Sequence, residues 1–168
     1  TVNPQPPTPV ATITASGPVA FGYGGSVTLT ASAAAGYLWS NGATTQSITL
    51  KNVAESGDYT VTVTNAAGCS ASSSVTSVTI SKAPLTVTAN DQTKTYDATN
   101  HSGGNGVTIT GFAGSDDESS LGGELVYGGT SQGASNAGTY AISPSGYTSA
   151  NYNITYVSGT LTINQATL

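Results

Sequence analysis

Val78-Thr-Ile-Ser-Lys-Ala-Pro-Leu85 is the stretch that decides the fold, because it returns 83 residues later as Leu161-Thr-Ile-Asn-Gln-Ala-Thr-Leu168. Repetition at a fixed period indicates a chain built from successive modules. We therefore predict that the strand closing one module leads, through a few residues, into the strand that opens the next. The predicted junction consists of Ile80, Lys82, Ala83, Pro84 and Leu85.

The rest of the chain divides around this junction. We predict a stiff Pro-rich linker over residues 1–9, a β-sandwich over 10–81, a second β-sandwich over 82–165 and the start of a following repeat over 166–168. Short alternating segments separated by Gly, Asn and Pro are typical of sandwiches. The predicted fold class is all-β, with two tandem antiparallel β-sandwich modules arranged end to end.

The composition excludes several classes of function. Charged residues make up 7% of the chain, against about 25% in a typical globular domain. The net charge is −5, and the chain has no arginine. The three lysines, Lys51, Lys82 and Lys94, are scattered. Binding to nucleic acid or to an anionic membrane needs clustered cations, so neither partner is expected. No apolar run is long enough to predict membrane insertion, and any export signal is expected to lie outside this sequence.

Four residues of the first module occupy the core positions of an immunoglobulin-like sandwich. Trp39 follows Leu29 by ten residues, and Tyr59 stands two positions before Val61 with the spacing of a tyrosine corner. Leu29 and Val61 then take the places of the two inter-sheet cysteines, so apolar contact is expected to replace a disulfide. The Asn41-Gly42 pair predicts a hairpin after Trp39.

Residues 21–73 resemble the Ig-like repeats of very large surface adhesins of Bacteroidota. The resemblance is carried by Ser26-Val-Thr-Leu29, by Trp39-Ser-Asn-Gly-Ala-Thr-Thr-Gln-Ser-Ile48 and by Gly57-Asp-Tyr-Thr-Val-Thr-Val63. Members often carry a first cysteine where Gly22 stands. The resemblance therefore implies that the family's disulfide is absent here and that Cys69 is a free thiol. An intermolecular bond and an unreactive leftover thiol both remain open for Cys69.

Residues 82–168 resemble the MBG or YDG-type repeats of bacterial filamentous adhesins. The matching segments are Lys82-Ala-Pro-Leu-Thr-Val-Thr-Ala89, Lys94-Thr-Tyr-Asp97, Gly138-Thr-Tyr140, Asn151-Tyr-Asn-Ile154 and Gly159-Thr-Leu-Thr-Ile163. Ala98 replaces the glycine that usually completes the Tyr-Asp-Gly signature, so the turn after Asp97 is expected to differ. The resemblance implies surface display and no activity.

The residues that could carry chemistry are few. His101 stands alone in a polar loop and is expected to be solvated. Asp116, Asp117 and Glu118 could bind Ca²⁺ through oxygen, but we favour the interpretation that they begin one or two helical turns with a capping box from Ser115 to Glu118. No catalytic constellation, resident metal or cofactor is predicted, and the protein is not expected to be an enzyme.

Three functions remain from these observations. The first is a structural segment of an exported adhesin or fibre, a rod-like spacer at the bacterial cell surface whose partners are neighbouring repeats. The second is a self-assembling extracellular filament subunit that donates the Pro-rich start or the terminal strand Leu161–Leu168 to a neighbour. The third is a carbohydrate-binding module for surface polysaccharide that uses exposed tyrosines: Tyr23, Tyr37, Tyr127, Tyr147 and Tyr156.

Overall fold

The structure is a computed structural model that describes residues 6–167. Strands dominate it, and the predicted all-β fold class is confirmed. The chain forms two compact units, Thr1–Lys82 and Ala83–Leu168. Each unit is described by itself below, and the end-to-end arrangement stays a prediction.

The first unit contains nine short strands within its described residues, 6–82. They are β1 (Ile13–Ala15), β2 (Ala20–Gly22), β3 (Val27–Ala31), β4 (Gly36–Trp39), β5 (Ser47–Leu50), β6 (Gly57–Tyr59), β7 (Val61–Thr64), β8 (Ser70–Ser72) and β9 (Thr76–Ser81). They pair in the orders β1-β3-β5, β2-β9-β6 and β4-β7-β8. Only Thr60 separates β6 from β7. All pairs are antiparallel except that of β2 with β9, which is parallel.

The outward positions of the first unit explain its high threonine and serine content. Hydroxyl groups that face each other across neighbouring strands form hydrogen bonds between Thr28 and Thr49 at 2.9 Å, Thr30 and Ser47 at 2.9 Å, Thr62 and Ser72 at 3.0 Å, and Thr64 and Ser70 at 2.8 Å. Residues in register on one face are close enough for such pairs. The alternating residues between them point inward and are buried, as in the pattern of β3.

The predicted hairpin at Asn41-Gly42 is wrong. The turn itself forms, because the N–H of Gly42 donates to the carbonyl of Trp39 at 2.9 Å. However, β4 pairs with β7 and β5 pairs with β3, so the turn carries the chain from one sheet to another. The physical reason is that an Asn-Gly turn determines a local reversal, whereas burial of Trp39 and Leu50 determines which sheet each strand joins.

Over residues 83–167, which the structure describes, the second unit contains seven strands and one 3₁₀ turn. The strands are β10 (Ala83–Ala89), β11 (Gln92–Thr95), β12 (Val107–Thr110), β13 (Gly122–Gly128), β14 (Gly138–Thr148), β15 (Tyr152–Val157) and β16 (Gly159–Asn164). They form two sheets, in the orders β12-β10-β15 and β11-β16-β14-β13. Core side chains come from both sheets: Leu85, Val87, Ala89, Ile142, Tyr152, Leu161 and Ile163.

The first and last segments of the second unit run side by side through both sheets. Asn90 and Asp91 separate β10 from β11, and Ser158 alone separates β15 from β16. β10 pairs in parallel with β15, and β11 pairs in parallel with β16. The sequence predicted antiparallel sandwiches, and for these pairs that prediction is wrong, because an alternating pattern has the same appearance in either strand direction.

The predicted helical segment is present but starts later than expected. It is a single 3₁₀ turn, Glu118–Ser120, whose N-cap is Asp117 and not Ser115. Asp117 caps the turn because its carboxylate accepts a 2.9 Å hydrogen bond from the N–H of Ser119. Among residues 6–167, no helix has the length and apolar character needed to cross a bilayer.

Candidate functional site

The predicted core residues of the first unit lie in one buried cluster. Leu29 and Val61 have no exposed surface, and Trp39 is 2% exposed. Leu29 comes from β3 and Val61 from β7, which belong to different sheets. The indole Nε1 of Trp39 donates a 2.8 Å hydrogen bond to the carbonyl of Thr45, so its polar atom is satisfied. Apolar contact occupies the place that a disulfide holds in antibody domains.

Tyr59 makes the hydrogen bond that defines a tyrosine corner. Its hydroxyl donates to the carbonyl of Glu55 at 2.7 Å. The carboxylate of Glu55 accepts from the N–H groups of Lys51 at 2.7 Å and Asn52 at 2.8 Å. Partial burial opposes ionisation of Glu55, but these hydrogen bonds outweigh it and hold the pKa of Glu55 below its ordinary value. The corner and the loop before it therefore act as one hydrogen-bonded unit.

Cys69 lies in the turn between β7 and β8 and is half-buried. Its Sγ is 3.8 Å from the carbonyl of Pro6, and Asn65 Nδ2 donates to the carbonyl of Pro7 at 2.8 Å. The end of the predicted Pro-rich linker is thus held against the first unit's own turn. Residues 1–5 of that linker lie outside the described residues.

The five junction residues have different roles within their own units. Ile80 on β9 and Leu85 on β10 are core residues, 2% and 1% exposed. The N–H of Ala83 donates to the carbonyl of Asn151 at 3.0 Å. Lys82 and Pro84 are exposed. Burial therefore explains the apolar residues at positions 80 and 85, since each anchors the strand that carries it.

The Lys94-Thr-Tyr-Asp97 segment contains the end of β11 and leads into a turn centred on one carboxylate. Oδ1 of Asp97 accepts hydrogen bonds from the N–H of Thr99 at 3.0 Å and from its hydroxyl at 2.7 Å, and it lies 2.8 Å from Lys94 Nζ. The ion pair with Lys94 and the bonds from Thr99 hold the pKa of Asp97 well below its usual range. Asp97 is thus a turn-forming residue with a lysine partner.

Ala98 lies within this turn and has a φ of +59°, the left-handed conformation. No other non-glycine residue among residues 6–167 has a positive φ. The conformation explains why glycine is usual at this position in the resembled family. It costs an L-residue about 1–2 kcal/mol.

Replacing Ala98 with glycine is expected to stabilise the second unit by about 0.5–1 kcal/mol, because relief of backbone strain exceeds the added entropy of the unfolded chain. The measurement is chemical denaturation followed by the methyl resonances of Leu85 and Leu161. Ala150→Gly is the matched control, since Ala150 is exposed and has no positive φ. It should leave stability unchanged or lower it. A loss of stability in Ala98→Gly would contradict the strain argument.

The three acidic residues proposed for Ca²⁺ each have a different partner. Asp116 Oδ2 accepts from the hydroxyl of Tyr152 at 2.6 Å, Asp117 caps the 3₁₀ turn, and Glu118 accepts from the hydroxyl of Tyr147. Hydrogen bonds from the Ser119 hydroxyl and N–H lower the pKa of Asp117. Among residues 6–167, no group of three or more His, Cys, Asp or Glu side chains is arranged to hold a metal. The carboxylates therefore organise the loop before β13.

The contact between Tyr147 and Glu118 predicts a loss of stability at alkaline pH. Burial, followed by the hydrogen bond to Glu118, raises the pKa of Tyr147 to about 12, against about 10 in an unfolded chain. Because the pKa is raised, the contribution of Tyr147 to the stability of the folded second unit is complete below about pH 10 and is lost as the pH rises towards 12. Denaturation at pH 8 and pH 11 should show this loss in the second unit. Tyr147→Phe should reduce it, and an equal loss in Tyr147→Phe would contradict the assignment.

A buried polar cluster in the second unit was missed by the sequence analysis. His101, predicted to be solvated, is 7% exposed, and Ser131 has no exposed surface. The N–H of His101 donates to Ala134 at 2.9 Å, and Gln132 bonds both the N–H and the carbonyl of Gly103, at 2.8 and 2.9 Å. The cluster joins two loops that are distant in sequence. Neither loop has an apolar pattern, so no sequence signal indicated their burial.

The five tyrosines proposed for carbohydrate binding are all half-buried. The hydroxyl of Tyr37 bonds the backbone of Ala34, and that of Tyr156 donates to the carbonyl of Tyr147 at 2.9 Å. Tyr127 packs against the core cluster of the second unit. Bonds within the protein therefore occupy several of the groups that a sugar would need.

One comparison with known proteins finds a family that the second unit is similar to. A family model described as the MBG domain (YGX type) matches residues 85–162. No curated protein matches the chain. The resemblance of residues 21–73 to adhesin repeats stays a prediction.

Three solved structures are similar to the chain at low identity. The fibronectin(III)-like modules of Clostridium thermocellum CbhA are 16% identical with a TM-score of 0.33, and the match covers 92% of this chain and 95% of that chain. Three N-terminal domains of the bacteriophage RB49 outer capsid protein Hoc are 15% identical with a TM-score of 0.39, over 92% of this chain and 58% of that chain. Murine CEACAM1b is 14% identical with a TM-score of 0.33, over 94% of this chain and 100% of that chain. Likeness at this level carries no argument about function.

Proposed function

Since residues 85–162 match the MBG domain of the YGX type, a structural module of extracellular surface proteins, we propose that this chain is a segment of an exported bacterial adhesin or fibre. It acts there as a rod-like spacer in cell-surface attachment. The family match is the observation that carries the proposal. The partners are neighbouring repeats of the same polypeptide, and the role is not catalytic.

The surface chemistry of the first unit supports a spacer. Its outward threonines and serines pair with each other across strands, as in Thr28 with Thr49 and Thr62 with Ser72. Such a surface stays hydrated while carrying little charge. Low charge limits repulsion between successive modules of one polypeptide.

Assembly by terminal strand addition has less support. A donated strand must be free to pair with a neighbour. β16 already lies between β11 and β14, and it holds most of the described part of the proposed donor Leu161–Leu168. Donation would therefore require the second unit to lose its own central strand.

Small-angle scattering of the full chain over a dilution series tests the spacer proposal. Two modules end to end should give a radius of gyration of roughly 23 Å, whereas one compact globule of this length should give about 15 Å. A value near the larger figure that does not change with concentration supports a spacer. A compact value contradicts it, and particles that lengthen with concentration would favour the filament. Retention on polysaccharide would favour the carbohydrate-binding alternative.

A further inference from the structure

The second unit has a connectivity that determines how it would carry tension. A force along the polypeptide enters the unit at the start of β10 and leaves it at the end of β16. β10 and β11 form the entering segment, and β15 and β16 form the leaving segment. The two segments pair in parallel over six positions between β10 and β15 and over four positions between β11 and β16.

Parallel pairing places these two segments in shear when the chain is stretched. The entering segment is pulled towards its N-terminus and the leaving segment towards its C-terminus, so all the hydrogen bonds between them share the load. If two paired strands were pulled from the same end, the hydrogen bonds between them would break one after another. Each hydrogen bond would then bear the whole force alone. We infer that β10–β11 and β15–β16 form a two-sheet shear clamp that resists extension of the second unit.

Contacts at the crossing point hold the two segments together. Oδ1 of Asp91, between β10 and β11, accepts a 2.7 Å hydrogen bond from the N–H of Thr160 on β16. Gly159 lies so close to the entering segment that a Cβ there would be 2.4 Å from the carbonyl oxygen of Ala89. Leu85, Val87, Leu161 and Ile163 add buried apolar contact on both segments. Sliding one segment past the other would therefore break the backbone pairs, the Asp91 bond and the core packing together.

The first unit provides an internal comparison. Its parallel pair, β2 with β9, extends over three positions in one sheet. The first unit should therefore yield at a lower force than the second. The biological use of this resistance rests on the proposed spacer role, but the clamp itself does not.

Single-molecule force spectroscopy of the full chain, held at its two termini, measures the clamp directly. Full extension should release about 250 Å for the first unit and about 300 Å for the second, at roughly 3.6 Å per residue. The longer event is expected to occur at the higher force. Forced rupture is governed by the unfolding rate, so all comparisons use one pulling speed.

A second pulling geometry separates a shear clamp from general stability. Thr95 lies opposite Asn164, at the same end of the β11–β16 pair. The protein is attached through a cysteine in the Thr95→Cys variant and through its C-terminus, and Cys69→Ser removes the competing thiol. A force between these two points breaks the hydrogen bonds between β11 and β16 one at a time. The rupture force should be several-fold lower than with terminal attachment. Chemical denaturation compares the stability of this variant with that of the parent. Equal stability means that the difference in rupture force results from the pulling geometry.

Asp91→Ala gives a third readout. It should lower the rupture force in the shear geometry and leave the initial force of unzipping at the Thr95 end unchanged. Equal rupture forces in the two geometries would overturn the clamp. That result would not affect the scattering test of the spacer proposal. Conversely, a compact particle whose second unit still resists shear would contradict the spacer proposal and leave the clamp intact.

Discussion

Replacing Leu29 with alanine is expected to lower the free energy of unfolding of the first unit by about 2–5 kcal/mol. Leu29 has no exposed surface and belongs to the same cluster as Trp39 and Val61. Its truncation removes apolar contact and leaves a cavity between sheets that no disulfide holds together. A unit of this size has a stability of only about 4–12 kcal/mol. Much of the stabilisation of the first unit therefore depends on this one side chain.

Urea denaturation followed by Trp39 fluorescence measures this change. Trp39 is the only tryptophan of the chain and belongs to the first unit, so its signal reports that unit alone. Leu38→Ala is the matched control, because Leu38 is 56% exposed on β4, the next strand in the sequence. It should change stability by no more than about 0.5 kcal/mol. Equal losses in the two variants would mean that the proposed core position is wrong.

Replacing Gly159 with alanine is expected to destabilise the second unit by about 3 kcal/mol or more. The added Cβ would lie 2.4 Å from the carbonyl oxygen and 2.9 Å from the carbonyl carbon of Ala89. Both are backbone atoms of the neighbouring segment and cannot rotate away. The two segments would have to separate where they cross between the sheets, which would also weaken the proposed clamp.

Chemical denaturation followed by the methyl resonances of Leu85, Ile142 and Leu161 reports this unit. Gly17→Ala serves as the control, since a Cβ at Gly17 would meet no atom within 4 Å. Gly17→Ala should leave the second unit unchanged. In the force experiment, Gly159→Ala should also lower the rupture force of the longer event. A Gly159→Ala protein with parental stability would show that the segments can move apart without cost.

Several features of the site followed from local sequence patterns. The spacing from Tyr59 to Val61 and from Leu29 to Trp39 was sufficient to propose the corner and the core, because both spacings are short and can be found in the sequence alone. The departure from glycine at Ala98 was visible in the sequence, and the structure shows that Ala98 has the left-handed φ that glycine favours. The altered turn after Asp97 stays a prediction. His101 could not be placed in this way. Its burial depends on a loop that contains Gln132, about thirty residues away, and polar loops carry no periodic signal.

The sequence by itself determined the all-β class, the 83-residue repeat and the similarity of the second half to MBG-type repeats, because alternation and signature residues are local properties of the chain. Only the tertiary structure decided which strands are neighbours. In the folded chain, β4 and β5 belong to different sheets despite the Asn41-Gly42 turn between them. β10 pairs in parallel with β15, and β11 pairs in parallel with β16. The physical reason is that a strand with one apolar face can pair with any neighbour in either direction. The choice is made by burial of side chains distant in sequence and by close backbone approaches such as that of Gly159 to Ala89.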